Sequence, residues 1–216
     1  MGRASGYHEG VTDATRRSRR SPGPGERKLD AERSRHLLLD AALQEFSAKG
    51  YAGARVQDIA DRAGVNKQLI NYYFGGKEGL YHAIGRRWLE REAEINDPAL
   101  PLDAVVVRYL RNTLDDTLGT RLDIWRGLTE DDGELPPIER EDLSDLERRQ
   151  AAGELAGDLD PAAVMLAMMA MVAAPVAMPL AVRRVFGLDP SSPEFQERYA
   201  EQLRRIVRHL AGPAAD

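Results

Sequence analysis

The sequence has no cysteine. Disulfides, thiolate metal sites and a cysteine nucleophile are thereby excluded, and a reducing compartment suits such a chain. Histidine is scarce, with four residues in 216, and they are scattered. No Ser/His/Asp spacing, glycine-rich phosphate loop or His–carboxylate cluster can be read along the chain. The acids Glu130, Asp131, Asp132 and Glu134 lack the spacing and closing Glu of a calcium loop. An enzyme, a metal site and a bound cofactor are therefore not expected. No apolar core follows the early charges, so no secretory signal is visible, and the expected location is cytoplasmic. Long apolar runs are missing too, with one exception: residues 161–182 carry no charge. That run is mostly Ala and Met and holds Pro175 and Pro179, which argues against a membrane span. It reads instead as a buried helix that starts at Asp160-Pro161 and ends near Ala174.

What the chain has in quantity is charge, 30% of residues, and it is distributed unevenly. Residues 1–90 hold 16 Lys/Arg against 11 Asp/Glu, a net of +5, while residues 91–216 hold 14 against 24, a net of −10. A basic N-terminal part suits a polyanion, and an acidic remainder does not.

Within the basic part, Val56, Ile59, Ala60 and Ala63 recur at helical spacing. Gly64 ends that helix as a left-handed cap does. Asn66 offers a side-chain oxygen to the next helix. Leu69, Ile70, Tyr73 and Phe74 make a second apolar stripe. Two short helices joined by a Gly-containing turn form a helix-turn-helix. Lys67, Gln68, Asn71 and Tyr72 lie away from most of that stripe. Gln and Asn match the donor and acceptor of adenine in the major groove, and Lys serves guanine or phosphate. Lys77 stands just past the helix.

Upstream, Arg35 to Tyr51 includes Leu38, Ala41, Ala42 and Phe46, a stripe that would pack under the motif. Downstream comes Phe74-Gly-Gly-Lys77-Glu78-Gly-Leu80-Tyr81. Together residues 33–84 closely resemble the DNA-binding domain of TetR-family transcriptional regulators. The resemblance implies an all-α fold, with an N-terminal three-helix DNA-binding domain and a C-terminal helical domain for ligand binding and dimerisation. It also implies a homodimer on a palindromic operator in double-stranded DNA, released when a small-molecule effector binds the body. Carried onto this chain, the DNA-facing residues are Arg55, Gln57, Asn66, Lys67, Gln68, Leu69, Asn71, Tyr72, Tyr73 and Lys77. The family usually caps the first motif helix with Thr or Ser. Ala54-Arg55 stand there instead, so the usual hydroxyl–phosphate contact is lost. Asn71 replaces a frequent Tyr, which favours an adenine contact over a thymine-methyl one.

The expected divisions are a disordered basic arm over residues 1–30, the DNA-binding domain over 31–76 and the regulatory body over 77–216. In the arm, Arg16, Arg17, Arg19 and Arg20 would track the DNA backbone or enter the minor groove. Helices are expected at 29–49, 76–95, 102–118, 121–129, 138–155, 180–186 and 193–210. The methionines of residues 161–182 suit either a packed core or a pliable pocket. Trp88, Tyr109, Trp125, Met165, Met168 and Met169 are the candidate ligand-pocket residues. The resemblance makes residues 161–174 and the last helix the halves of a four-helix dimer bundle. It offers Ala167, Met171, Ala174, Tyr199, Leu203, Ile206, Val207 and Leu210 as its contacts. An activator, or a regulator governed by a protein partner, would keep the same DNA-binding domain.

Overall fold

The fold, taken from a computed structural model, is described for residues 24–129 and 140–211. Arg16, Arg17, Arg19, Arg20, the acids Glu130, Asp131, Asp132 and Glu134, and positions 138 and 139 of the helix expected at 138–155 lie outside the described residues. Among the described residues all regular structure is helical. In chain order the elements are α1 (Pro24–Gly53), α2 (Val56–Ala63), α3 (Gln68–Phe74), α4 (Lys77–Ile95), α5 (Leu102–Asp115), α6 (Thr117–Thr129), α7 (Ser144–Ala151), α8 (Pro161–Ala177), α9 (Pro179–Phe186) and α10 (Pro193–Arg208).

The head is built from α1 to α3 and the first turns of α4. Leu38, Phe46, Ile59, Ile70 and Leu80 are essentially sealed from solvent and form one apolar cluster. Leu122 of α6 belongs to the same cluster. The head core is thus closed by a helix of the body. Helix α1 begins at Pro24, inside the segment expected to be unstructured. Its helical path breaks at Gly50 (φ 69°), where the apolar stripe ends.

The second cluster joins α5, α8 and α10 through Val106, Leu110, Val164, Met168, Leu203 and Val207. Several boundaries differ from the sequence reading, each for a local reason. Residues 102–118 are not one helix. Asp116 leaves helical geometry (φ −134°, ψ 88°) and its Oδ1 accepts the Leu118 N–H at 3.3 Å, which starts α6 earlier than residue 121. Helix α7 begins only at Ser144, where the Ser144 N–H donates to Asp142 Oδ1 at 2.9 Å.

Helix α8 does not end near Ala174. It runs through the buried Pro175 to Ala177. A proline there removes the donor that would bond the Met171 carbonyl, four residues back. That carbonyl accepts the Tyr199 hydroxyl instead, at 2.8 Å. The break falls at Pro179, and α8 and α9 meet at 88°. No single helix among the described residues is long and apolar enough to cross a membrane.

One buried cation ties the body to the end of α4. Arg149 is 0% exposed. Its Nη1 donates to the Leu100 carbonyl at 2.8 Å and to Glu154 Oε2 at 2.9 Å, and its Nε to Asp145 Oδ2 at 2.7 Å. Glu154 Oε2 also accepts the first N–H of α5, that of Leu102, at 2.9 Å. The short, highly charged α7 therefore clamps the loop between α4 and α5.

Candidate nucleic-acid interface

The helix-turn-helix follows from local chemistry. Gly64 takes a left-handed conformation (φ 67°) and its N–H bonds back to α2 carbonyls. A side chain is strained at that φ, and glycine is not. Asn66 Oδ1 accepts the Gln68 N–H at 2.8 Å, so Asn66 caps α3 as its residue type suggests. Ile70 is buried at 1% exposure. Leu69, Tyr73 and Phe74 are half-buried against the same core. One side of α3 is thereby committed to packing.

The other side is open. Lys67, Gln68, Asn71 and Tyr72 are all exposed, Tyr72 by 79%. The structure brings these four side chains together on one face of one helix. Arg55 and Gln57, at the start of α2, are exposed as well. Arg55 makes no side-chain cap to α2, consistent with the missing hydroxyl. Gln57 Nε2 donates to Asp61 Oδ1 at 2.8 Å, which holds it along α2. Lys77 Nζ sits 4.5 Å from the Tyr51 ring centre and donates to the Ala52 carbonyl at 3.4 Å. Leu69 and Tyr73 differ from the rest of the DNA-facing set, since each spends most of its surface on the core.

The orientation of α3 is set by its neighbours. Glycine at position 79 allows the first turn of α4 to approach the end of α3. A Cβ there would lie 1.7 Å from the Phe74 carbonyl oxygen. On the other side, α2 is held to α1 by charge. Glu45 is only 3% exposed and pairs with Lys49 at 2.6 Å and Arg62 at 2.7 Å. Lys49 in turn reaches Asp58 at 3.0 Å. The hydrogen bond from Lys49, then that from Arg62, holds the Glu45 carboxyl below its ordinary value against the opposing effect of burial.

The body residues offered for a ligand pocket are not gathered around one cavity. Trp88 lines a small cavity of about 50 Å³ between α1, α4 and the start of α6, with Leu39, Ile84 and Thr120. The Tyr109 hydroxyl donates to Glu92 Oε1 at 3.1 Å, bridging α5 to α4. Burial, then the Glu92 charge, pushes that phenol above its ordinary value. Met168 is in the core, Met165 packs against it, and Met169 and Trp125 are partly exposed. Of the residues offered for a dimer face, Leu203 and Val207 are buried inside this chain, and Met171, Tyr199 and Leu210 pack against that same core. Ala174 is half-buried, and Ala167 and Ile206 face outward. Sequence reasoning missed the rest of that outward face, Ala163, Leu166 and Ala170 of α8, with Leu166 exposed by 69%. Counting which α10 positions α5 already covers is what separates the inner stripe from the outer one.

The structure thus joins a helix-turn-helix head with an open polar face to an all-helical body. Residues 38–84 match the profile of bacterial regulatory proteins of the tetR family. The chain is 36% identical over 95 residues to the HTH-type transcriptional regulator RutR of Escherichia coli, a match covering 42% of this chain and 44% of RutR. It is 29% identical over 189 residues to the HTH-type transcriptional repressor SCO4008 of Streptomyces coelicolor, covering 82% of this chain and 97% of that one. In fold it is similar to the transcriptional regulator SCO4942 of Streptomyces coelicolor, with a TM-score of 0.64 and 24% identity over 80% of this chain and 97% of that one. Residues 38–84 are thus similar to the DNA-binding domain of the tetR family, and the chain is similar over most of its length to a regulator of that kind.

Proposed function

We propose that this protein is a cytoplasmic homodimeric repressor that leaves a palindromic operator when a small molecule binds its body. The observation that carries this reading is the division of α3, with Ile70 buried and Lys67, Gln68, Asn71 and Tyr72 exposed together. Gln68 and Asn71 read base edges; Lys67 and Arg55 hold phosphates. Tyr72 and Lys77 flank them, and Asn66 fixes the register of α3. Two such helices in successive major grooves stand about 34–36 Å apart. The outward apolar faces of α8 and α10 pair with those of a second copy. The likeness to a repressor over most of the chain supports the direction of control. A ligand acts only through its differential affinity for the two dimer geometries.

The test is binding to DNA from the upstream region of the protein's own gene, at two salt concentrations. Affinity that exceeds that for random DNA and falls as salt rises is the expected result. Lys67→Ala should weaken binding and reduce the salt slope by about one. Equal affinity for both DNAs, unchanged by that substitution, would overturn the reading.

A further inference from the structure

The body carries a cleft separate from its methionine-rich core. It opens between α5 and α10 with a volume of about 510 Å³, within the size range of small-molecule sites. Leu110, Leu114 and Ala200 form part of its wall, and charges of both signs stand among them.

Charges of both signs are spread along the cleft. Asp103, near the start of α5, lies 3.9 Å from Arg204 and 2.9 Å from Arg208 near the end of α10. The two helices therefore run antiparallel, and Arg204 marks one end of the cleft. Glu197 is seven residues before Arg204, roughly 10 Å along α10 by helical rise. Asp115 is the last residue of α5. Both carboxylates line the cleft, far from Arg204, and neither has an ion-pair partner among the described residues. The other acid, Glu201, is held by Arg205 at 2.9 Å.

The Arg204 end is also incomplete. Its Nε is shut from solvent and has no hydrogen-bond partner. The nearest carboxylate, Asp103, is already bonded by Arg208 at 2.9 Å. The Arg204 side chain as a whole is 35% exposed, so an anion in the cleft can pair with its charge. Arg111, one turn from Asp115 and about 12 Å along α5 from Asp103, stands level with Glu197 and away from this end.

We propose that this cleft binds a small zwitterion, its carboxylate toward Arg204 and its ammonium toward Glu197 and Asp115. The ligand's consequence at DNA rests on the ligand-responsive reading above; its binding does not. The experiment is calorimetry on the full chain without DNA, using 6-aminohexanoate, hexanoate and hexylamine as probes. The zwitterion should bind at least about tenfold more tightly than either singly charged probe. With Arg204→Met it should bind no better than hexylamine, and with Glu197→Gln no better than hexanoate. Both positions border solvent, and unchanged melting of each variant separates a lost contact from a lost fold. No binding of 6-aminohexanoate, or binding that neither substitution alters, would overturn the proposal. So would hexanoate or hexylamine matching the zwitterion, which would mark a plain anion or cation site. A failure here leaves DNA binding untouched, because no DNA is present. A failure of the DNA experiment leaves this result standing.

Discussion

In the head, Lys67, Gln68 and Asn71 stand in solvent, on the outer face of α3, whose inner face is packed. In the body, the most constrained cation, Arg149, is fully buried; its Nε and Nη1 bond Asp145, Glu154 and the Leu100 carbonyl, and its Nη2 has no hydrogen-bond partner. Exposed polar groups are free to bind something else, and changing them barely touches the fold. Buried ones are committed, and changing them strands their partners. The comparison predicts that stability and DNA affinity respond to different substitutions.

The largest expected effect is on stability. Arg149→Met leaves two carboxylates and a backbone carbonyl facing a thioether. Asp145 and Glu154 are 28% and 33% exposed, so water reaches them and the expected loss is about 1.5–3 kcal/mol, that of a charged hydrogen bond. Denaturant unfolding of the full chain measures it, and a loss below about 1 kcal/mol would mean that water replaces the guanidinium without penalty.

The reverse behaviour is expected on α3. Gln68→Ala and Asn71→Ala should each cost about 1–3 kcal/mol in operator affinity, with unfolding unchanged within about 0.5 kcal/mol. Both quantities are read on the same purified variants. A variant that lost stability and affinity together would show that the open face of α3 also holds the head together.

The same contrast explains what could be read from the residues. The helix-turn-helix was legible in the residues, because each of its signals is local. Gly64 and Asn66 act on backbone groups within four positions, and the α2 stripe of Ile59, Ala60 and Ala63 needs no distant partner to be recognised. The body was less legible because its decisive contacts are far apart in sequence. Pro175 was expected to stop α8, yet the carbonyl it orphans is rescued by Tyr199, 28 residues away. Leu203 and Val207 were offered to a dimer partner because the period of α10 shows which residues are apolar but not which neighbour covers them. Asp116 is a local signal that was overlooked, since an Asp between two apolar stripes reads equally as a surface position and as a cap. The gathering of Arg111, Glu197 and Arg204 around one cleft follows from the antiparallel packing of α5 and α10, which no sequence window contains.

Tyr199→Phe sharpens the comparison within the body. It keeps the ring stacked on Phe195, with centroids 5.3 Å apart, and removes only the donor to Met171. An unsatisfied buried carbonyl costs about 1–3 kcal/mol. Restoring a backbone donor with Pro175→Ala in the same chain should recover part of that loss, and a double-mutant cycle reads the coupling. Strict additivity of the two changes would show that the hydroxyl does not stand in for the missing amide.

The smallest effect is expected at Glu45, where the head comes nearest to the body's use of charge. The carboxyl is buried, but Lys49 and Arg62 reach it from solvent, so screening weakens the pairing. Its folded value lies below the unfolded one, with the Lys49 hydrogen bond the leading cause. A carboxylate shifted in that direction binds more protons when unfolded. Its contribution is therefore complete above the unfolded value, near pH 4.3, and fades as pH falls below that toward the folded value. Stability of the wild-type chain should drop through this acid window more steeply than that of Glu45→Gln, which has no proton to take up there. Near neutral pH the two should differ by only about 1 kcal/mol. Parallel acid curves for the two proteins would mean that the pairing anchors α2 to α1 in geometry but contributes nothing measurable to the fold.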